Sequence, residues 1–449
     1  MRLRLSLPIG TVLAGLALLY PASAQAGVAP LRTAAVQRSG DETLRYVMAR
    51  GDNLYTLAQR YFLKPGDFAV VQRINHVRNV HAVPVGTSLV IPLAILRGEP
   101  LTATIVALRG DVLVMQDGAR REVRQGTTIG TGGTIETGTT GFVTVELPNG
   151  SRTSLPTRSR LAIRALRRIL LTDGIDYDFE VSAGKAETEA THIAPGKGLF
   201  RIRTPRAVSA VRGTRFRVGY DDDQSATEVL DGTVAAGAGN DLTASIPKGF
   251  GATISRTGTL AKEQLLPAPD LIAPGKVQVD PLVTLAFAPV GQAKAYHVQI
   301  AADAGFVEVL AETTANGPLA SFADIANGNW YVRASAIAQS GLEGLPQTYA
   351  LRRALTGLSA SAEGDPSAMR FKWSGAGDGR RIYRFQLARG SETALPTFDE
   401  PGLGPEGLVL HDLAPGTYFW RVGVRRFAGD GMTENWLPFE KLIVAAPEK

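Results

Sequence analysis

The chain of 449 residues contains no cysteine. That removes disulfide staples, thiolate nucleophiles and thiolate metal sites at once, so every domain must stand on its own apolar core. Histidine is nearly as scarce. His76, His81, His192, His297 and His411 stand singly, without the His-x-His pair common in zinc peptidases, and no metal site is expected. The acidic triplet Asp221-Asp222-Asp223 lacks the further ligands at regular spacing that calcium requires, and it sits between two strand patterns as a hairpin tip. There is no Gly-x-Ser-x-Gly elbow, no Walker loop and no Gly-x-Gly-x-x-Gly strand-to-helix unit, so no cofactor is expected either. A glycosidase needs only two carboxylates brought together by folding, a class that sequence alone does not remove. Past residue 26 no stretch approaches the roughly 18 apolar residues of a membrane span.

What is present is turn-rich. Glycine (49) and proline (26) far outnumber phenylalanine (16) and tryptophan (4), which points to a mostly β chain of several domains. The first 26 residues have the form of a secretory signal: Arg2 and Arg4, an apolar stretch from Leu5 to Tyr20 broken by Pro8, then small residues at Ala22-Ser23-Ala24 or Ala24-Gln25-Ala26. Export to the periplasm or cell envelope is expected, with residues 27–44 as a linker and no membrane span once the signal is removed. The formal charge of +6 falls to about +4 without Arg2 and Arg4, too mild to suggest a nucleic-acid partner.

Residues 45–93 form the first module. Asp52 or Asn53 can cap a helix on which Leu54, Leu57, Ala58 and Tyr61 share a face. Pro65-Gly66 is expected to stop it, and Asp67 to cap a second helix carrying Phe68, Val71 and Ile74. Tyr46–Met48 and Ser88–Ile91 read as flanking strands. The run Tyr46-Val-Met-Ala-Arg-Gly51-Asp52-Asn53-Leu54, Asn75, and Val85-Gly86-x-x-Leu89-x-Ile91-Pro92 resembles the LysM module, with Asn53 and Val85 departing from its usual threonine and proline. The resemblance implies a βααβ fold and a shallow groove for an N-acetylglucosamine polymer such as peptidoglycan. Carried over by position, that groove takes Gly51, Asp52, Asn53, Leu54 and Tyr55, then Val83, Pro84, Val85 and Gly86, with Ile74 and Asn75 beside them. The alternative is that Gly51 and Asn75 only shape turns. One such groove holds a sugar weakly, at about 1 mM or −4 kcal/mol, and works by retention on a repetitive polymer.

Residues 100–260 alternate. Phe200 and Ile202 face one way and Arg201 and Arg203 the other; Phe216 and Val218 repeat the pattern against Arg215 and Arg217. The run Phe200-Arg-Ile-Arg-Thr-Pro205-Arg-Ala-Val-Ser-Ala-Val-Arg212-Gly213-Thr214-Arg-Phe-Arg-Val218 resembles the FecR periplasmic domain, which implies an all-β roll or sandwich. In that family the domain relays a signal toward a sigma factor, through a membrane helix and cytoplasmic domain whose place is taken here by the export signal and the first module. Arg212 and Thr214 are the candidate contacts to a partner. The arginines at 158, 160, 164, 167 and 168 read as a solvated strand and turn above buried Leu161, Ile163 and Leu166.

After Leu266-Pro-Ala-Pro-Asp270 the chain repeats. Phe287 aligns with Trp373, Tyr296–Ala301 with Tyr383–Ala388, and Ile325–Arg333 with Leu413–Arg421, at offsets of 86, 87 and 88. Residues 268–352 and 355–446 are therefore two copies of one β-sandwich. Leu413-Ala-Pro-Gly-Thr-Tyr418 resembles the tyrosine corner of fibronectin type III domains. Trp373, Trp420 and Trp436 suit core packing better than an aromatic sugar platform.

The chain thus reads as multidomain and mainly β: a small βααβ module, an all-β FecR-like domain and two immunoglobulin- or fibronectin-like sandwiches. The expected function is that of an exported, non-enzymatic scaffold on peptidoglycan that meets an envelope protein partner. Two alternatives stand beside it: an FecR-type sensory component, and a glycan hydrolase with a scattered carboxylate pair.

Overall fold

The computed structural model describes residues 43–194, 197–211, 213–239, 242–429 and 431–445. The expected signal segment, nearly all of the linker and Arg212 lie outside the described residues.

The first module has the order β1 (Thr43–Val47), α1 (Leu54–Tyr61), α2 (Phe68–Ile74), β2 (Ser88–Pro92). The two strands pair antiparallel, Leu44 opposite Ile91 and Tyr46 opposite Leu89. Asn53, and not Asp52, caps α1, its Oδ1 accepting the Thr56 N–H at 2.8 Å. Pro65-Gly66 does not simply end the helical run: it opens a 3-10 turn, Pro65–Asp67, that leads into α2, and Asp67 makes no side-chain cap bond. Proline suits that opening because its missing N–H has no partner to lose there. Leu54, Leu57, Ala58, Val71, Leu89 and Ile91 form a core that continues into Ile169 of the next domain. Arg167 fastens the junction by donating to the carbonyls of Leu93 and Leu96 at 2.8 and 3.0 Å.

Two sheets make the middle domain, and one strand is common to both. The first half of Gly174–Glu189 pairs with Arg160–Ile169 and, in parallel, with Gly198–Arg203. Its second half pairs with Arg215–Asp221 and with Arg152–Leu155. The crossing point is Gly184, whose φ of +66° lies in the left-handed region; a Cβ there would sit 2.4 Å from the Arg158 carbonyl oxygen. Between the sheets lie Tyr177, Phe179, Phe200, Ile202, Phe216 and Val218, with Phe179 and Phe200 edge to face at 5.5 Å. Each such side chain contributes about 1.5–3 kcal/mol by leaving water. Asp222 and Asp223 form the two-residue tip of the hairpin Arg215–Asp221/Gln224–Asp231, both with positive φ, as a tight hairpin turn of this twist requires. Gly213 makes a tight bend at φ +99°, with His192 packed where a side chain would be.

Each of the two sandwiches that follow sets a small sheet against a larger one. In the first, Val283–Ala286 and Leu319–Phe322 face a four-stranded sheet built on Ala293–Ala301 and Gly328–Ala338. In the second, three strands around Ala368–Ser374 face five around Arg380–Arg389 and Gly416–Ala428. The corner bond is present in both copies with different chemistry. Tyr418 Oη donates to the Ala414 carbonyl at 2.8 Å, and at the matching position Trp330 Nε1 donates to the Ala326 carbonyl at 2.9 Å. Trp373 and Trp420 are core residues beside Phe371 and Phe385, and Trp436 stacks on Arg421 at 4.6 Å.

Candidate functional site

The densest concentration of chemistry lies where the first sandwich meets the middle domain. Strands Gly174–Glu189, Arg215–Asp221 and Gln224–Asp231 turn Lys185, Glu187, Arg217 and Glu228 outward, away from the apolar core. The sandwich contributes His297, Glu312, Arg333 and Glu343. Alternation alone would leave the first set in water. Instead Arg217 is 4 % exposed and Glu228 0 %, because the sandwich covers them.

The loop between Gly328–Ala338 and Gln347–Arg353 does most of the covering. Leu342 enters an apolar niche of Leu230 and Leu265, over Gly251, where a Cβ would come within 2.8 Å of its Cδ1. Beside it, the Glu343 carboxylate accepts from Lys185 Nζ (2.9 Å) and Ser335 Oγ (2.6 Å), bonds His297 Nδ1 (3.0 Å) and lies 3.3 Å from Arg217. Its backbone is engaged too: the N–H donates to Glu228 Oε1 and the carbonyl accepts from Arg217. On the far side of His297, Nε2 meets Glu312 at 3.0 Å, while Glu312 also accepts from the Thr157 N–H and hydroxyl. Glu187 accepts from Arg215 and Arg333 at 2.7 and 3.0 Å.

Burial alone would push the His297 imidazole down, yet the carboxylates on both ring nitrogens raise it to about 9, so it is a cation at neutral pH. Burial would likewise raise Glu312 and Glu187, but His297 holds the first at about 2, and the guanidinia of Arg333, Arg217 and Arg215 hold the second at about 2. Five cations, Lys185, Arg215, Arg217, His297 and Arg333, therefore meet the carboxylates of Glu187, Glu312 and Glu343, while burial pushes the Glu228 carboxyl above the ordinary carboxylate range. Both imidazole nitrogens are engaged, which leaves no lone pair or free proton for acid–base work. The partly open cavity among these groups is ≈ 40 Å³, space for ordered water. An open polar trough of ≈ 540 Å³ adjoins it, lined by Ser159, Tyr220, Asp221, Asp222 and Thr314. This arrangement is a clasp between domains. Among the described residues no group of three or more His, Cys, Asp or Glu is placed to hold a metal.

In the first module the loop that opens α1 packs against residues 80 and 81, while Gly86 is tied to the end of β1. Leu54 N–H bonds the Val80 carbonyl, Gly86 N–H bonds the Met48 carbonyl, and the Tyr55 ring lies 5.2 Å from His81. Several expected groove residues have their side chains committed elsewhere. Asp52 accepts from Tyr46 Oη and the Ala49 N–H; Asn53 is the cap; Asn75 bonds Val71 and both backbone groups of Val90. Leu54 and Val83 are buried. Gly51, Tyr55, Ile74, Pro84, Val85 and Gly86 are the exposed members. In the middle domain Thr214 is 5 % exposed, so its hydroxyl is not presented at the surface. Four of the five arginines in the run are paired within the fold: Arg160 with Glu136, Arg164 with Glu180, Arg167 with Asp176, and Arg168 with Glu99 and Asp173, while Arg158 is exposed.

Residues 133–235, the heart of the two-sheet body, match the family model described as FecR protein. The chain carries a FecR domain. No curated protein matches it. Among solved structures, one from Parabacteroides distasonis assigned as an anti-sigma factor is 19% identical over 29% of this chain and 59% of its own, with a TM-score of 0.25; this chain thus spans less than two thirds of that structure. The FN1–FN3 domains of chicken CNTN1 are 15% identical over 54% of this chain and 95% of theirs, TM-score 0.19. The fibronectin(III)-like modules of Clostridium thermocellum CbhA are 13% identical over 39% and 94%, TM-score 0.18. Among the described residues no helix is long and apolar enough to cross a membrane, which says nothing of β-barrels.

Proposed function

We propose that the protein is an exported FecR-type sensory component of the cell envelope, in which the FecR domain receives a protein partner and the first sandwich reports its state. The observation that supports this reading is the match of residues 133–235 to the FecR family, together with a charged contact between that domain and its neighbour. The first module, read as LysM-like, retains the chain on an N-acetylglucosamine polymer through its exposed loop residues Tyr55, Val85 and Gly86. No catalysis is assigned to any part of the chain.

Photocrosslinkers placed at Tyr220 and at Lys262 on the edge strand Leu260–Gln264 test the sensory reading in cells. A discrete adduct with one envelope protein is expected, and adducts no different from those of a crosslinker on the second sandwich would count against it. Retention on purified wall sacculi tests the module separately, since a chain lacking residues 45–92 should wash through.

A further inference from the structure

The contact described above has the composition of a ligand seated in a receptor. The receptor is the outer face of the second FecR sheet, and the ligand is the eight-residue loop Gln339–Pro346. Leu342 fills the niche over Gly251, Glu343 reaches Lys185 and Arg217, and the backbone on either side is read by hydrogen bonds from Arg217 and to Glu228. Such a pattern of one apolar anchor, one carboxylate and main-chain bonds is how short extended peptides are recognised.

Two observations show that the loop is an imperfect occupant. Glu228 is wholly buried and its Oε2 has no hydrogen-bond partner among the described residues, although its other oxygen accepts from Glu343. A buried polar atom without a partner costs free energy that a better-matched segment would recover. The heart of the contact is also ionic. Charges regain hydration when such a surface opens, so its closed state is less favoured than an apolar contact of equal area.

From this we propose that the FecR sheet face is a docking site for an extended peptide segment of a partner protein, presenting an apolar residue followed by a carboxylate and a further hydrogen-bonding group for Glu228, and that loop Gln339–Pro346 is a tethered competitor for it. The partner enters by displacing Leu342 and Glu343, which releases the first sandwich from the FecR domain. The inference rests on the reading of the FecR domain as the part that meets a partner, and it gives that partner its chemistry.

The test uses the full chain and a labelled synthetic peptide with the sequence of residues 339–346. Glu343→Arg sets a guanidinium against Lys185 and Arg217 and opens the contact; Leu342→Asp opens it by another route. The peptide should bind either opened chain at least about tenfold more tightly than the unaltered one, because the tethered loop no longer competes. Failure to bind the opened chains, or equal binding to the unaltered chain, overturns the proposal. A measurement free of variants accompanies it: excess peptide should speed hydrogen exchange at the Glu343 and Leu345 amides of the unaltered chain, and unchanged exchange refutes displacement. If the peptide binds while crosslinking in cells finds no partner, the docking face stands and the sensory reading falls.

Discussion

His297→Gln removes the only imidazolium from the clasp while keeping a polar side chain of similar reach. In the folded chain the His297 imidazole titrates near 9, against an ordinary value of 6.5. A raised value means that the proton stabilises the fold: the contribution is complete below about pH 6.5 and drains away as pH rises through about 9. Two to three units correspond to ~3 kcal/mol. With a urea slope of about 2–3 kcal/mol per M, the unfolding midpoint should fall by about 1 M between pH 6 and pH 10. The assay is hydrogen-exchange protection of strand Ala293–Ala301 along a urea series at both pH values. The glutamine variant should show a smaller fall by that amount, its remaining dependence coming from tyrosines and lysines common to both chains. Identical pH dependence in the two would refute the claim that His297 is held charged between Glu312 and Glu343.

At the acid end the sign reverses, since Glu187 and Glu312 are depressed to about 2: their contribution is present above about pH 4.5 and should be lost as pH falls toward 2, read as loss of the same protection. Gly251→Leu should cost about 1–3 kcal/mol in thermal unfolding, because the niche already holds Leu342 and Leu265. Tyr418→Phe should destabilise the second sandwich by about 1 kcal/mol, and Trp330→Phe the first by a similar amount, each leaving a corner carbonyl without its donor. Val85→Asp, at a position 66% exposed, should reduce retention on sacculi while changing stability by less than about 0.5 kcal/mol. Asn75→Ala should instead melt the module, since that side chain ties α2 to β2.

Much of the architecture was legible because it is local. Strand alternation around Phe200 and Phe216, the Asp222-Asp223 tip and the repeat that pairs Tyr296 with Tyr383 all depend on residues close in sequence or on their periodicity. The cap was legible to within one residue, Asp52 or Asn53; which of the two serves depends on Tyr46, whose hydroxyl claims Asp52. The clasp was not legible. The sequence places Lys185, Glu187, Arg217 and Glu228 on an outward face, but nothing near them in the chain says that the face is covered. His297 stands alone in sequence and acquires two carboxylate partners only when Glu312 and Glu343 are folded beside it. Among the residues expected to line a sugar groove, the use of Asp52, Asn53 and Asn75 as internal ties is visible only in three dimensions.

The run from Gly174 to Glu189 has a mechanical consequence. Because a single stretch of backbone belongs to both sheets, neither can peel away and leave the other intact. A pull that strips Arg160–Ile169 from one end also loosens the hold on Arg215–Asp221 at the other, and Gly184 is the pivot where that tension changes direction. A two-sheet body built in this way yields all at once or not at all.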